Sequence, residues 1–100
     1  MGDNTNGTIA EPLRYSSTVT DVAIGAAIRR RRTGARMQLD KLADKAGVNL
    51  KVMSRIELGQ RPCRVPEMVS IARALRLSPQ TLIKEATEIQ AAGAAASQAS

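Results

Sequence analysis

The chain has 100 residues, with 15 Lys and Arg against 9 Asp and Glu and no histidine, a formal charge of +6. That length supports one hydrophobic core and one domain. With no histidine and a single cysteine, Cys63, the usual zinc sites and the Ser-His-Asp or Cys-His nucleophilic arrangements cannot be assembled. Aromatic residues make up 1% of the chain, Tyr15 alone, which removes the base-stacking platforms of many RNA and single-strand binders. The apolar stock is instead Ala, Leu, Ile, Val and Met, which favours helices over sheet. The composition predicts a small all-α binding protein for something anionic, with no enzymatic activity, no cofactor and no metal.

The positive charge is concentrated. Residues 1–28 carry Arg14 against Asp3, Glu11 and Asp21, a net of −2. Residues 29–64 carry eleven basic groups against Asp40, Asp44 and Glu57, a net of +8, and residues 65–100 balance at zero. A basic block of this kind is the electrostatic footprint of a nucleic-acid face. The longest apolar stretch, Val22 to Ile28, is too short to span a bilayer, and Met1-Gly2-Asp3-Asn4 does not open a signal peptide. A lone cysteine excludes an intramolecular disulfide and fits a reducing compartment. The expectation is a cytoplasmic, nucleoid-associated protein with no membrane partner.

Residues 1–19, rich in Gly, Asn, Thr and Ser and without helical period, read as a flexible N-terminal arm. Thr20 caps a first helix, with Asp21 in its first turn and Ile24 and Ile28 on one face, running to about Thr33 before Gly34 stops it. A second helix spans about Leu39 to Ala46, with Leu39, Leu42, Ala43 and Ala46 on one stripe and Gly47 ending it. Asn49 caps a third helix, about Leu50 to Leu58, closed by Gly59, with Met53 and Ile56 facing inward. Gln60 to Val65 form a loop, and Pro66 opens a fourth helix to about Leu75 with Val69, Ala72 and Leu75 inward. Ser78-Pro79 opens a fifth with Leu82 and Ile83 inward. The domain proper therefore spans 20–88. Residues 89–100 are open to two readings, a helical extension or a disordered Ala-rich tail, and Gly93 argues for fraying.

The informative stretch is Leu39 to Gly59, a short helix, the turn Gly47-Val48-Asn49 and another short helix. Ala43 and Gly47 are small where two helices must cross closely, and Val48, Met53 and Ile56 bury the second helix while its N-terminal end stays exposed. That is the pattern of a helix-turn-helix, whose second helix enters the DNA major groove. Over Asp21 to Glu85 the chain resembles the lambda-repressor-like family of phage Cro and xenobiotic-response-element (XRE) regulators. The resemblance is carried by Ile24-Gly25, Ile28, Leu42-Ala43-Asp44-Lys45-Ala46-Gly47-Val48, Ser54-Arg55-Ile56-Glu57, Gly59, Ile71-Ala72-Arg73-Ala74-Leu75 and Leu77-Ser78. It implies a compact five-helix DNA-binding domain. The departures are Leu39 for a polar residue, Arg31 at a position often apolar, and Arg76 where glycine often ends the fourth helix.

Stepping by four from Ile24 and Ile28 reaches Arg32, so this arginine lies at the edge of the apolar stripe and needs a carboxylate. Glu57, beside Ile56, is the candidate, and the resemblance implies the same pair. Asn49, Leu50, Lys51, Ser54 and Arg55 are free to point outward from the third helix. The family comparison places base readers at Asn49, Leu50, Lys51 and Arg55, while Ser54 reads as an ordinary solvated residue. Phosphate contacts are expected from Gln38 and the backbone of Leu39 at the start of the second helix, and from Gln60, Arg61 and Arg64 after the third. Arg29, Arg30 and Arg31 are expected on a solvated or phosphate-facing rim. Asp40 and Asp44, flanked by Lys41 and Lys45, read as a solvated face and not as an acid–base pair. The function expected is a sequence-specific double-stranded-DNA-binding transcriptional regulator, a repressor acting as a homodimer on an inverted repeat. The alternative is a protein-interaction module of the same fold, such as an antitoxin or a partner-controlled regulator.

Overall fold

The structure, a computed structural model, describes residues 19–99, with side chains to Gly93. Apart from Val19, the expected N-terminal arm therefore lies outside the described residues. Five helices follow in order: α1 Asp21–Gly34, α2 Leu39–Ala46, α3 Leu50–Glu57, α4 Val65–Ala74 and α5 Pro79–Ala99. Among the described residues there is no strand. α1 lies against α5 on one side and α3 on the other, α2 packs on α3 and α4, and α4 closes onto α5.

The helix ends follow local chemistry. The Thr20 hydroxyl accepts from Ala23 N at 3.1 Å and donates to Gln90 Oε1 at 2.7 Å, so the cap of α1 also ties it to α5. Asn49 Oδ1 accepts from Lys51 N at 2.8 Å and Val52 N at 3.4 Å and starts α3. Glu67 reaches back to Arg64 N at 3.0 Å to begin α4, and Ser78 Oγ accepts from Thr81 N at 3.2 Å to begin α5. The N-caps of α2 and α4, Gln38 and Arg64, make no side-chain cap bond themselves, and α4 is held instead by the bond to Glu67. Gly47, at φ 70°, adopts the left-handed turn that lets α2 stop and α3 leave in a new direction.

The interior is filled by Ile28, Leu42, Met53, Ile56, Ile71 and Leu82, all essentially inaccessible, with Ala23, Ala27, Ala43, Ala72 and Ala86 where helices approach. α1 and α3 approach closely at Gly25. A Cβ there would stand 2.3 Å from the carbonyl oxygen of Ile56 and 2.5 Å from that of Glu57, so α1 rests directly on the backbone of α3. Any larger side chain would lift the two helices apart.

Several expectations are corrected. Val69 and Ile83 do not face inward; they are 37% and 45% exposed, and Met68, Ile71 and Ala86 occupy the core instead. Both helices carry apolar residues on adjacent faces, so periodicity alone leaves two registers, and packing on α2 and α1 selects the one with the better-shaped interior. Gly34 does not stop α1 but is its last helical residue, and the left-handed turn is made by Arg36, at φ 56°. α4 begins at Val65 and ends at Ala74, one residue earlier than expected at each end, and α3 ends at Glu57 with Leu58 as its cap. α5 runs through Gly93 to Ala99.

Candidate nucleic-acid interface

α3 sits on the surface by its inner face alone. Met53 and Ile56 are buried in the core, and Glu57 lies beside them. The opposite face carries exposed Leu50, Lys51 and Arg55, with half-buried Ser54 between them. Lys51 and Arg55, four residues apart, share one side of the helix. Among the described residues neither pairs with a carboxylate. Leu50 is a large apolar side chain left in water at the first position of the helix, immediately before Lys51.

Asn49 has a double assignment in the sequence, helix cap and base reader. Its side-chain oxygen is taken by two backbone amides of α3, so only its Nδ2 amine remains to reach outward. At the start of α2, Gln38 is exposed, while the Leu39 side chain packs against the core and leaves only its amide for an external acceptor. Gln60 and Arg64 are exposed in the segment after α3.

Arg61 is held. Its Nη1 donates to Glu67 Oε1 at 2.8 Å and to the Pro62 carbonyl at 2.9 Å, and its Nη2 to Glu67 Oε2 at 3.0 Å. Of the five N–H groups of a guanidinium, about two remain for another partner. The hydrogen bonds from Arg61 hold the Glu67 carboxyl below the usual carboxylate range despite partial burial. Cys63, between them in sequence, is half-buried, and burial pushes its thiol up to about 11, with the Glu67 charge adding to the effect.

Behind α3 the geometry is fixed by Arg32. Its Nε donates to Glu57 Oε2 at 2.7 Å and its Nη2 to Glu57 Oε1 at 3.0 Å, a bidentate pair between α1 and the end of α3. Its Nη1 donates to the Met37 carbonyl at 2.9 Å, in the segment leading into α2. One guanidinium therefore holds α1, the entry to α2 and the end of α3 in register. The hydrogen bonds to Glu57 raise the Arg32 pKa further above its already high value, so the guanidinium keeps its charge.

The rim expected at Arg29, Arg30 and Arg31 is divided. Arg29 and Arg30 are exposed, but Arg31 turns toward α5 and donates through Nε to Glu85 Oε2 at 2.7 Å, with a second bond from Nη2 to the same oxygen. Arg31 is thus a structural partner of Glu85, not a rim cation. The sequence carried a signal for this, an arginine at a position often apolar in the family, but not the identity of its partner.

Comparison with known proteins agrees with this geometry. A family model described as a helix-turn-helix domain matches residues 23–86. Among solved structures, the clp gene regulator ClgR from Corynebacterium glutamicum superposes with a TM-score of 0.78 at 27% identity, over 82% of this chain and 87% of that one. A second structure of ClgR gives 0.65 at 28% identity, over 68% and 88%. The restriction-modification controller protein C.AhdI from Aeromonas hydrophila gives 0.61 at 27% identity, over 62% of this chain and 94% of that one. No curated protein sequence matches significantly. Among the described residues no helix is long and apolar enough to cross a membrane. The chain belongs to the helix-turn-helix domain family and has the fold of its DNA-binding transcription regulators.

Proposed function

We propose that the protein is a sequence-specific regulator that binds double-stranded DNA as a homodimer on an inverted repeat, acts in the cytoplasm on nucleoid DNA, and represses by occluding polymerase. The observation that carries this reading is the outer face of α3. It presents Leu50, Lys51 and Arg55 to solvent, together with the Asn49 amine, on a helix whose inner face is locked into the core. Lys51 and Arg55 donate to guanine O6 and N7, Leu50 presses on a thymine methyl, and Asn49 donates through Nδ2. The amides at the start of α2, with Gln38 and Leu39, and the side chains of Gln60, Arg61 and Arg64 hold backbone phosphates on either side. Arg61 does so with the donors that Glu67 leaves, which fixes its direction.

Two-fold symmetry in the protein would match half-sites about one helical turn apart. The likeness to a clp gene regulator and to a restriction-modification controller supports a regulatory role. The test is selection of bound duplexes from a random pool, followed by salt titration on the selected site. A palindrome should emerge, with log affinity falling by about 0.9 per neutralised phosphate for each unit of log salt. Recovery of no motif would overturn the reading. It would favour a protein-interaction module, for which the exposed Val65, Val69 and Ile83 offer apolar contact.

A further inference from the structure

Away from α3 the surface carries a second group of cations. Lys45, in the last turn of α2, and Arg73 and Arg76, at the end of α4, line one cleft of about 330 Å³ together with Ala46, Ser70 and Ala74. Ala46 is buried and Ser70 and Ala74 are half-buried, so they form its floor, while the three cations are exposed on its rim. The cleft lies at the ends of α2 and α4. The phosphate contacts proposed above lie at or before the starts of those helices, at Gln38, Leu39, Gln60, Arg61 and Arg64. Among the described residues no carboxylate lines the cleft. Asp44 precedes Lys45 in the chain without lining it, and Glu67, on the wall of the adjoining cavity, is committed to Arg61.

Cations near helix C-termini are common because they offset the helix dipole. That accounts for one such residue on each helix and not for three on one cleft, where like charges repel. Nor are they needed as caps. The carbonyls of Ala43 and Asp44 accept from Val48 N at 2.9 Å and Gly47 N at 3.2 Å, and those of Ala72 and Arg73 from Leu77 N at 2.8 Å and Arg76 N at 2.9 Å. Among the described residues none of the three cations pairs with a carboxylate. A concave surface lined by one sign of charge focuses the field and concentrates counter-ions. Its size is that of a small-molecule site, and its charged rim favours a polar ligand over an apolar one. We infer that the cleft binds a small organic anion with at least two negative charges, a phosphate ester or a polycarboxylate. Arg73 and Arg76 grip its oxygens with paired N–H groups, Lys45 supplies a point charge from the other helix, and the Ser70 hydroxyl donates from the floor. The cleft shares Ala46 and Ser70 with the cavity that reaches Gly47, Val48 and Asn49, so the bound anion adjoins the turn between α2 and α3. The site does not depend on the reading of α3.

The test is calorimetric titration of the full chain, without DNA and at constant ionic strength, with inorganic pyrophosphate and with citrate. The variants are Arg73→Gln/Arg76→Gln, Lys45→Gln and, as controls, Arg29→Gln/Arg30→Gln and Lys51→Ala/Arg55→Ala. Each double variant removes two exposed charges, and glutamine keeps the side-chain length and the backbone strain at Arg76, whose φ is 61°. One anion should bind per chain, and the tighter of the two probes identifies the ligand as phosphate or carboxylate. Arg73→Gln/Arg76→Gln should weaken that binding by more than about tenfold and Lys45→Gln by about threefold, while both controls stay within about twofold of the parent. Saturating anion should raise the Tm of the parent and of both controls but not that of Arg73→Gln/Arg76→Gln, whose own Tm should match the parent's. Absence of saturable binding of either probe would overturn the inference. So would an equal loss in the Arg73→Gln/Arg76→Gln and Arg29→Gln/Arg30→Gln variants, which would mark diffuse attraction to net charge. A tenfold loss of affinity for the selected duplex in Arg73→Gln/Arg76→Gln would also overturn it, by making these arginines duplex contacts. Failure to select any duplex would overturn the reading of α3 and leave the anion site standing.

Discussion

Arg31 and Arg32 are consecutive residues of α1, each paired with one glutamate of another helix, yet the two seams they join differ in kind. About 100° of helical rotation turns Arg32 toward α3 and Arg31 toward α5. The side chains of Arg32 and Glu57 are only 14% and 5% exposed, and both carboxylate oxygens are bonded. Those of Arg31 and Glu85 are 39% and 17% exposed, and both bonds fall on one oxygen, leaving buried Glu85 Oε1 without a partner. The α1–α3 seam also contains the backbone contact at Gly25, whereas the α1–α5 seam rests on side chains and on the Thr20–Gln90 bond. What an ion pair contributes is set less by its shortest distance than by what remains if one partner goes. Removing Arg32 strands a buried charge, and removing Arg31 exposes a carboxylate that water can reach.

The largest expected effect therefore lies on the buried seam. Arg32→Ala should cost about 3 kcal/mol, a Tm drop of roughly 10–20 °C by thermal denaturation. Arg30→Ala should stay within about 0.5 kcal/mol of the parent. Equal melting of the two variants would break the comparison at its root. Next comes Gly25→Ala, expected to cost about 2 kcal/mol by overpacking in spite of alanine's better helix propensity. A variant as stable as the parent would mean that α1 can slide away from α3 freely.

Arg31→Ala should lower Tm by a few degrees at most, and the difference should shrink in high salt. Glu85→Ala should cost less than Arg31→Ala, since it also removes the oxygen that has no partner. A larger loss in Glu85→Ala would show that the exposed seam matters more than its solvent access implies. The smallest effect concerns pH. Hydrogen bonds from Arg31 and Arg61 lower the pKa values of Glu85 and Glu67 in the folded state. Their contribution to stability is thus present above the ordinary carboxylate pKa of about 4.3 and is lost as pH falls through the lower folded values. Tm measured from pH 6 downward should fall in acid, and Arg31→Ala should show a shallower decline. A decline as steep as the parent's would remove Glu85 from that account.

The part of the molecule legible in its sequence is the part governed by local rules. Asn49 and Gly47 announce the turn between α2 and α3 because one caps a helix and the other accepts positive φ. The outward positions of Leu50, Lys51 and Arg55 follow once Met53 and Ile56 are assigned to the interior. Arg32 is legible because it falls on a stripe where a cation needs a partner. Val69 and Ile83 are not, because α4 and α5 each have two apolar faces, and the difference between a 68-71-72 and a 69-72-75 face is invisible without the neighbouring helices. The left-handed turn at Arg36 is hidden for a related reason, since Gly34, two residues earlier, offers the more obvious stop.

Net charge, its confinement to residues 29–64, the lack of histidine and the near-absence of aromatic rings, and the order of five helices are all properties of the linear chain. They already specify a basic all-α domain with one surface-bound helix, because composition and helix capping depend on residues close in sequence. Partner choice depends on residues far apart. Which glutamate meets Arg31, that Arg61 is tied to Glu67, and that α1 lies on the backbone of α3 at Gly25 were decided only when the helices packed. Burial and direction are properties of a residue's surroundings, and these exist only in the assembled fold.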